Sequence, residues 1–224
     1  MLNVLSAASL ALLLVVQTSG QGLGQTSAQP AKPFTLRQVW TLDRTYTDHQ
    51  HGVTFRYPST WQAGTQFGYH PPALTTSESK PIAGFGYSEG GFLRDRIVGP
   101  YTSTNLEGVG LVYSVVPVAS AAECEAKAAS LSASPEHSQV VFGQRSFSVY
   151  KTFSGGMSQS MSGELYATYA SSICYLFETS VAVVSPGTVD DIQALTAAQL
   201  HDIDTHLLEI MKSVRIVPSI RKQG

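Results

Sequence analysis

The stretch from Gly52 to Trp61, which reads GVTFRYPSTW, is the feature that most constrains the fold of this chain. From Val53 to Tyr57 apolar residues alternate with polar ones, as they do in a strand with one buried face. Pro58 has no N–H to donate to a strand ladder, so the strand should end there. We expect the large ring of Trp61, just beyond, to cover one end of a core.

The beginning of the chain is typical of a secretory signal peptide. No charged side chain precedes Lys32, and the apolar run that ends at Val16 is followed by small and polar residues. That run is about a dozen residues, too short to span a bilayer as a helix. Cleavage after Gly20 or Ala28 fits the preference of signal peptidase sites for small residues. The alternative to a cleaved signal peptide is that this segment is retained as an anchor on the membrane surface. We predict a signal peptide at 1–28, a flexible tether and lead-in at 29–47, one domain at 48–218 and a tail at 219–224.

Composition limits the classes of partner. Without the leader about 195 residues remain, a size that suits one domain with a proper core. The net charge is -2 and charged residues make up 13% of the chain, so neither nucleic acid nor an anionic membrane surface is indicated. Outside the leader no membrane span is predicted. The chain is therefore expected to meet a protein partner or a small ligand.

Cys124 and Cys174 are the two cysteines of the chain. In an exported protein two cysteines are typically paired, so a disulfide between them is predicted. A reactive cysteine or a pair of metal ligands is the alternative, but neither has a nearby His or a second Cys at ligand spacing.

Two segments carry helix signals. Ser120 is a natural N-cap for the Ala-rich segment that follows, Glu123 completes a capping box, and Pro135 closes the segment. Thr196 and Gln199 form a second capping box. It precedes an apolar stripe at helical spacing that comprises Leu200, Ile203, Leu207, Ile210, Met211 and Val214.

The remaining periodic segments predict strands, and residues 62–80 predict a loop. The strands are expected at 53–57, 82–87, 109–116, 140–142, 146–153, 164–170 and 173–184, with a short last strand within 214–217. The separators of the later strands, Gly143-Gln144, Gly155-Gly156 and Ser171-Ser172, are short enough for hairpins. The predicted class is therefore α+β, an antiparallel sheet with helices packed on it.

The two ends of this pattern resemble PsbP-like domains, in which a Gly-apolar-x-Phe-x-Tyr-Pro-x-x-Trp strand opens the fold. Such domains tend to finish with a long amphipathic helix and a Ser-apolar pair, matched here by Leu200–Met211 and Ser213-Val214. The resemblance covers roughly 48–61 and 197–217, and the cysteine pair is not part of it. It implies an α-β-α sandwich and a binding or assembly role. It carries over no photosystem, calcium or manganese site, and fold alone does not fix function.

Ser88 is the candidate for a serine nucleophile. Gly86 to Gly90 matches the Gly-x-Ser-x-Gly pattern of a nucleophile elbow. Asp190 or Asp191, followed by His201 or His206, supplies the acid and the base in the required order. The alternative is a Gly-rich turn that ends a strand, and the sequence around it lacks the βα rhythm of a hydrolase. The same run is a poor dinucleotide loop, so no cofactor is predicted.

Three further groups of side chains could either have a function or be ordinary surface or core residues. His49 and His51 could be a metal pair or part of a solvated loop. Asp202, His206 and Glu209 share one helix face, which could bind a metal or simply face water. The aromatic residues of 142–177 could form a ligand platform or belong to the core; they are Phe142, Phe147, Tyr150, Phe153, Tyr166, Tyr169, Tyr175 and Phe177.

Together these observations predict a secreted or periplasmic, non-enzymatic domain that binds a partner or a small ligand. A small serine hydrolase using Ser88 is one alternative, and a structural cell-envelope assembly protein is the other. No catalytic, cofactor-binding or metal-binding residue is predicted under the leading hypothesis.

Overall fold

A computed structural model describes residues 35–64, 74, 81–88, 100–101, 103–156, 158–185 and 192–217. Lys32–Gly224 forms one compact unit. Its elements, in chain order, are α1 (Leu36–Trp40), β1 (Arg44–Asp48), β2 (Val53–Tyr57), β3 (Gln62–Gly64), β4 (Ala83–Ser88), β5 (Leu106–Pro117), α2 (Ala121–Leu131), β6 (His137–Phe142), β7 (Arg145–Gly155), β8 (Gln159–Ala170), β9 (Ile173–Val184), α3 (Ala197–Lys212) and β10 (Arg215–Ile216).

The main sheet has seven described strands in the order β3-β4-β5-β9-β8-β7-β6, and every neighbouring pair is antiparallel. Its last four strands along the chain, β6 to β9, follow one another through hairpins. Two of the predicted separators form the turns: Gly143 has φ +62°, and Ser171 and Ser172 have φ 51° and 61°. Such positive values are those of primed two-residue turns, which match the twist of hairpin strands. The predicted α+β class and antiparallel sheet are thus confirmed.

The opening strand β2 does not lie in the main sheet. It is the middle strand of a separate three-stranded sheet, where Phe55 is paired with Tyr46 of β1 and Thr54 with Arg215 of β10. The range predicted as tether and lead-in, 29–47, contains the start of the first two described elements. A helix and a strand begin within that range, because Thr35 caps α1 and Trp40 reaches the core. Strand β3 was likewise expected to be loop.

The two faces of the main sheet carry different layers, as alternation along β9 illustrates. Tyr175 and Phe177 face the small sheet, α1 and α3, whereas Cys174 and Leu176 face α2. Rings from the small sheet pack against the main sheet, with Phe55 at 5.3 Å from Phe85 between ring centroids. On the other face, Cys124 of α2 forms the predicted disulfide with Cys174 of β9. Helices therefore lie on both faces of the main sheet.

Trp61 occupies the place that the sequence predicts. Its backbone N–H donates to the Pro58 carbonyl in the turn that ends β2, and its ring is 4% exposed. The indole Nε1 donates to the Val39 carbonyl at 3.0 Å, and the ring meets Trp40 edge-on with centroids 5.8 Å apart. Trp61 thus joins the end of β2 to helix α1.

Helix α3 begins at the predicted capping box. The Thr196 side chain accepts from the Gln199 N–H, and the Gln199 side chain accepts from the Thr196 N–H. The predicted stripe is buried except for Leu200, which is 37% exposed because it lies in the first turn, at the edge of the stripe. Helix α2 has half of its predicted box: Ser120 accepts from the Glu123 N–H, but the Glu123 carboxylate accepts from the Ala119 N–H instead.

Candidate functional site

A groove between helix α3 and strands β7, β8 and β9 is the candidate functional site. It encloses about 430 Å³, a volume within the range of small-molecule sites. Lys151, Glu164 and Thr179 contribute from the sheet, and His201 and Asp204 contribute from the helix. The groove forms where the apolar stripe of α3 gives way to its polar side, so the helix leaves the sheet surface partly uncovered.

Glu164 is the most highly coordinated charge in the groove. Lys151 lies opposite it on β7, and its Nζ approaches the carboxylate to 2.5 Å. The Tyr166 hydroxyl donates to the other carboxylate oxygen. Burial, and then this contact with Glu164, raise the pKa of Tyr166, so the phenol stays protonated and remains a donor. Glu164 is therefore held in place by two partners.

Asp204 faces this group from α3 without a partner of its own. Within the residues that the structure describes, no side chain or backbone group makes a hydrogen bond or an ion pair with its carboxylate. Partial burial raises the pKa of Asp204, and the nearby charge of Glu164 raises it further; Lys151 and His201 oppose this shift. Two carboxylates that repel each other would both be stabilised by a cation placed between them.

The floor of the groove depends on a close approach of two strands at Gly163. A Cβ at this position would lie 2.0 Å from the Thr179 carbonyl oxygen and 3.0 Å from its carbon. Those atoms belong to the backbone of β9, so they cannot rotate away. The Thr179 hydroxyl in turn donates to the Glu164 carbonyl at 3.5 Å. Glycine is thus required for β8 and β9 to pair closely under the groove.

The groove combines charged and apolar surface. Val181 and Leu207 line it beside the charged groups, and both are buried. An apolar wall next to a carboxylate with no partner suits a ligand that has a positively charged group on a small apolar body. Among the described residues there is no cluster of three or more His, Cys, Asp or Glu side chains that could hold a metal ion.

Ser88, the residue of the hydrolase hypothesis, is the last residue of β4. It is exposed, it is paired with Gly108, and its hydroxyl donates to the Glu107 carbonyl at 3.3 Å. Asp190 and Asp191 lie outside the described residues. His201 lines the α3 groove, and the ring of His206 stacks on Trp40 at 4.8 Å with an interplanar angle of 9°. β4 lies between two antiparallel neighbours, whereas a nucleophile elbow belongs to a parallel sheet.

Of the two histidines considered as a possible metal pair, His51 has a structural role in the turn between β1 and β2. His51 Nδ1 lies 2.7 Å from Asp48 Oδ2, while Asp48 Oδ1 accepts from the Gln50 and His51 N–H groups. His49 is exposed. Burial raises the pKa of Asp48, but the hydrogen bonds and charge of His51 outweigh it, so its pKa is lowered overall. This carboxylate organises the turn instead of leaving His51 for a metal.

The polar face of α3 is also divided among separate contacts. His206 Nε2 lies 3.7 Å from Asp202, while Glu209 pairs with Lys212 at 2.6 Å. Of the three predicted residues on this face, Asp202 and His206 therefore contact each other, whereas Glu209 is paired with a lysine.

The aromatic residues of 142–177 belong mainly to the core. Six of the eight are at most 9% exposed, and Tyr169 is half-buried, with its hydroxyl donating to the Ala119 carbonyl. Phe153 is the exception at 62% exposure. Their burial leaves no continuous aromatic platform, because the layers of the fold cover both faces of the strands that carry them.

The sequence reasoning did not identify the groove, although two signals of it were present. His201, Asp204, Thr205 and Leu208 follow the i, i+3, i+4, i+7 spacing of one helix stripe, beside the apolar one. Lys151 and Glu164 face each other across a predicted hairpin, the usual position of an opposite-charge pair. The sequence does not show that this stripe of α3 lies over the Lys151–Glu164 pair.

None of the helices that the structure describes is both long and apolar enough to cross a membrane.

No family model and no curated protein sequence matches the chain. Solved structures similar to it include a protein from Bacteroides thetaiotaomicron VPI-5482 with 11% identity and a TM-score of 0.40, covering 80% of this chain. The chain spans about half (50%) of the length of that protein. Cyanobacterial PsbP (CyanoP) from Synechocystis sp. PCC 6803 is similar with 10% identity and a TM-score of 0.41, over 78% of this chain and 92% of its own. The Ran-binding protein Mog1p of Saccharomyces cerevisiae has 7% identity and a TM-score of 0.44, over 79% and 96%. At these scores the likeness is too loose to transfer a family, a partner or an activity.

Proposed function

We propose that this protein is an extracytoplasmic, non-enzymatic domain that binds a small cationic ligand in the groove beneath α3. The observation that carries the proposal is the Asp204 carboxylate, which has no partner among the described residues and lies within the electrostatic influence of Glu164. An amine or guanidinium placed between the two carboxylates relieves their repulsion. Its apolar part packs on Val181 and Leu207.

Extracytoplasmic location is supported by the signal-like leader and by the Cys124–Cys174 disulfide, since such bonds persist in oxidising compartments. The test is the mass of the mature protein recovered from the secreting host. We expect cleavage after Gly20 or Ala28, and we expect alkylation to label neither cysteine before reduction and both cysteines after it. An intact leader with two free thiols would contradict this part of the proposal.

The ligand site is tested by titration with benzylamine and with benzyl alcohol, its neutral counterpart, followed by NMR chemical shifts. We expect the amine to bind and the alcohol to bind at least about tenfold more weakly, a difference of roughly 1.4 kcal/mol. Asp204→Asn should remove most of that difference. Asp202→Asn, which removes a charge from the same helix outside the groove, is the matched control and should leave affinity unchanged.

The pH dependence gives a second measurement on the same site. The pKa of Asp204 is raised above its usual value of 3.8, so its carboxylate is lost at a higher pH than that of a solvated Asp. Amine affinity should therefore fall on acidification at a higher pH than it would with a solvated Asp, and this fall should disappear in Asp204→Asn. Equal binding of amine and alcohol by the wild-type protein would refute the cationic ligand.

A further inference from the structure

A second groove lies between the β6–β7 turn and strand β10. It encloses about 420 Å³. Phe142 and Phe147 form its wall on the side of the main sheet, and Val214 and Ile216 form its wall on the side of β10. All four side chains are at most 9% exposed. The groove therefore has an apolar interior between the last strands of the two sheets.

Two arginines give this groove its charge. Arg145 and Arg215 line it, and none of the described residues that line it is acidic, although the whole chain has a net charge of -2. Throughout the described part of the chain, neither guanidinium has a carboxylate within 4 Å. An arginine that lines a partly apolar groove without a counter-ion has charge available for an anion.

Backbone carbonyls hold both guanidinium groups in place. Arg145 Nη2 donates to the Ile216 carbonyl at 3.1 Å, and Arg215 Nη1 donates to the Lys212 and Val214 carbonyls at 2.8 Å each. Each guanidinium has five N–H donors, so these bonds fix its position and leave further donors free of such carbonyls. The side chains are thus ordered before any ligand arrives, which lowers the entropic cost of binding.

The mouth of the groove is open and partly apolar. Val217 lies at the rim and is 72% exposed, which is unusual for a large aliphatic side chain next to a cavity. At the turn, a Cβ on Gly143 would meet no atom of a described residue within 4 Å. At Gly143 the rim of the groove is therefore not filled by a described side chain.

From this arrangement we infer that the groove is a binding site for a carboxylate that carries an apolar group. The carboxylate accepts hydrogen bonds from Arg145 and Arg215, and the apolar group packs between the two phenylalanines on one side and Val214 and Ile216 on the other. The inference is independent of the α3 groove, whose free charge has the opposite sign. Both a free organic acid and the C-terminus of a peptide have this chemistry.

Isothermal titration with four probes tests the inference and separates the two sources. The probes are 4-phenylbutyrate, 4-phenylbutyramide, and an acetylated Ala-Ala-Phe peptide with either a free or an amidated C-terminus. At least one carboxylate should bind, with its amide at least tenfold weaker. Binding of phenylbutyrate alone would identify the ligand as a free organic acid. Binding of the peptide with the free C-terminus alone would identify the ligand as the C-terminus of a peptide or protein. Failure of both carboxylates, or equal binding of acid and amide, would overturn the inference.

Variants locate the binding within the groove. Arg145→Gln and Arg215→Gln should each weaken the carboxylate at least fivefold, and Lys212→Gln, an exposed cation outside the lining, should leave it unchanged. Because Arg145 also bonds to the backbone, Val217→Asp provides a second route. Its side chain is exposed, so the fold should tolerate it, while the added negative charge should weaken binding at least fivefold. Wild-type affinity in all three groove variants would place the binding elsewhere and refute the site.

Discussion

Trp61 offers the sharpest test of how the fold is held together. Its ring is 4% exposed, so Trp61→Ala removes a large buried side chain, a class of change that typically costs about 3–5 kcal/mol. The same change leaves the Val39 carbonyl without its indole donor, a loss of about 1–3 kcal/mol when the acceptor stays buried. Part of this second loss is already contained in the first. We expect Trp61→Ala to lower the free energy of unfolding by about 4–5 kcal/mol.

Trp61→Phe separates packing from hydrogen bonding. Phenylalanine keeps most of the apolar area and the edge contact with Trp40, but it has no N–H for the Val39 carbonyl. The expected loss is about 1–2 kcal/mol, from the hydrogen bond and from the smaller ring. The difference between the two variants then measures the packing contribution of the ring.

Urea denaturation followed by far-UV circular dichroism is the appropriate assay, because tryptophan fluorescence would itself change with the substitution. If the free energy of unfolding falls with urea concentration at the same slope in the variants as in the wild type, the variants lose stability without altering the surface exposed on unfolding. A loss below about 1 kcal/mol for Trp61→Ala would refute the reasoning, since no buried tryptophan that holds α1 against β2 could be removed at so small a cost. Equal losses for the two variants would assign the whole effect to the hydrogen bond.

Three further predictions concern other parts of the fold. Replacing Cys124 and Cys174 together by alanine should cost about 4 kcal/mol in urea unfolding, because the bond closes a loop of 50 residues; a loss under about 1 kcal/mol would contradict the chain-entropy argument. The pKa of Asp48 in the folded protein is lowered from its usual value of 3.8. The ionised carboxylate therefore contributes its full stabilisation above pH 3.8, and this stabilisation is lost as the pH falls through the folded-state pKa. Asp48→Asn should therefore flatten the acid limb of the stability curve, and an unchanged limb would refute this role. Gly163→Ala should cost about 1–3 kcal/mol of stability, because the added methyl group overpacks the strand pair. Gly156→Ala is the control and should cost less, because its Cβ would meet the nearest atom of a described residue at 3.9 Å. Equal thermal midpoints for the two variants would argue against the close approach at Gly163.

Local signals in the sequence predicted most of the individual elements. The capping box at Thr196 and the apolar stripe from Ile203 determine where α3 begins and which face it buries, because both depend on residues at most a few positions apart. The hairpins of the main sheet follow from short turns in the same way. The Cys124–Cys174 bond followed from the cysteine count and the leader.

The layering of the fold was not predictable by these means. Nothing local to Val53–Tyr57 shows that its second neighbour is Arg215–Ile216, since strand pairing at long range depends on which faces are left to be covered. The same limit hid the groove at Asp204. Its chemistry arises from a helix residue and a strand residue that meet only after the helix has docked on the sheet.

The pairing of β2 with β10 has a consequence for how the protein is made. Thr54 and Arg215 are partners across the small sheet, yet they are roughly 160 residues apart along the chain. At 5–20 residues per second, synthesis needs on the order of ten to thirty seconds to deliver the second strand after the first. During that interval β2 can pair with β1 alone, and one edge of it stays open to other chains. The open edge of β2 is therefore a place where a nascent chain of this protein can misassociate, and we expect a chaperone that shields this edge until the final strand emerges to raise the folding yield.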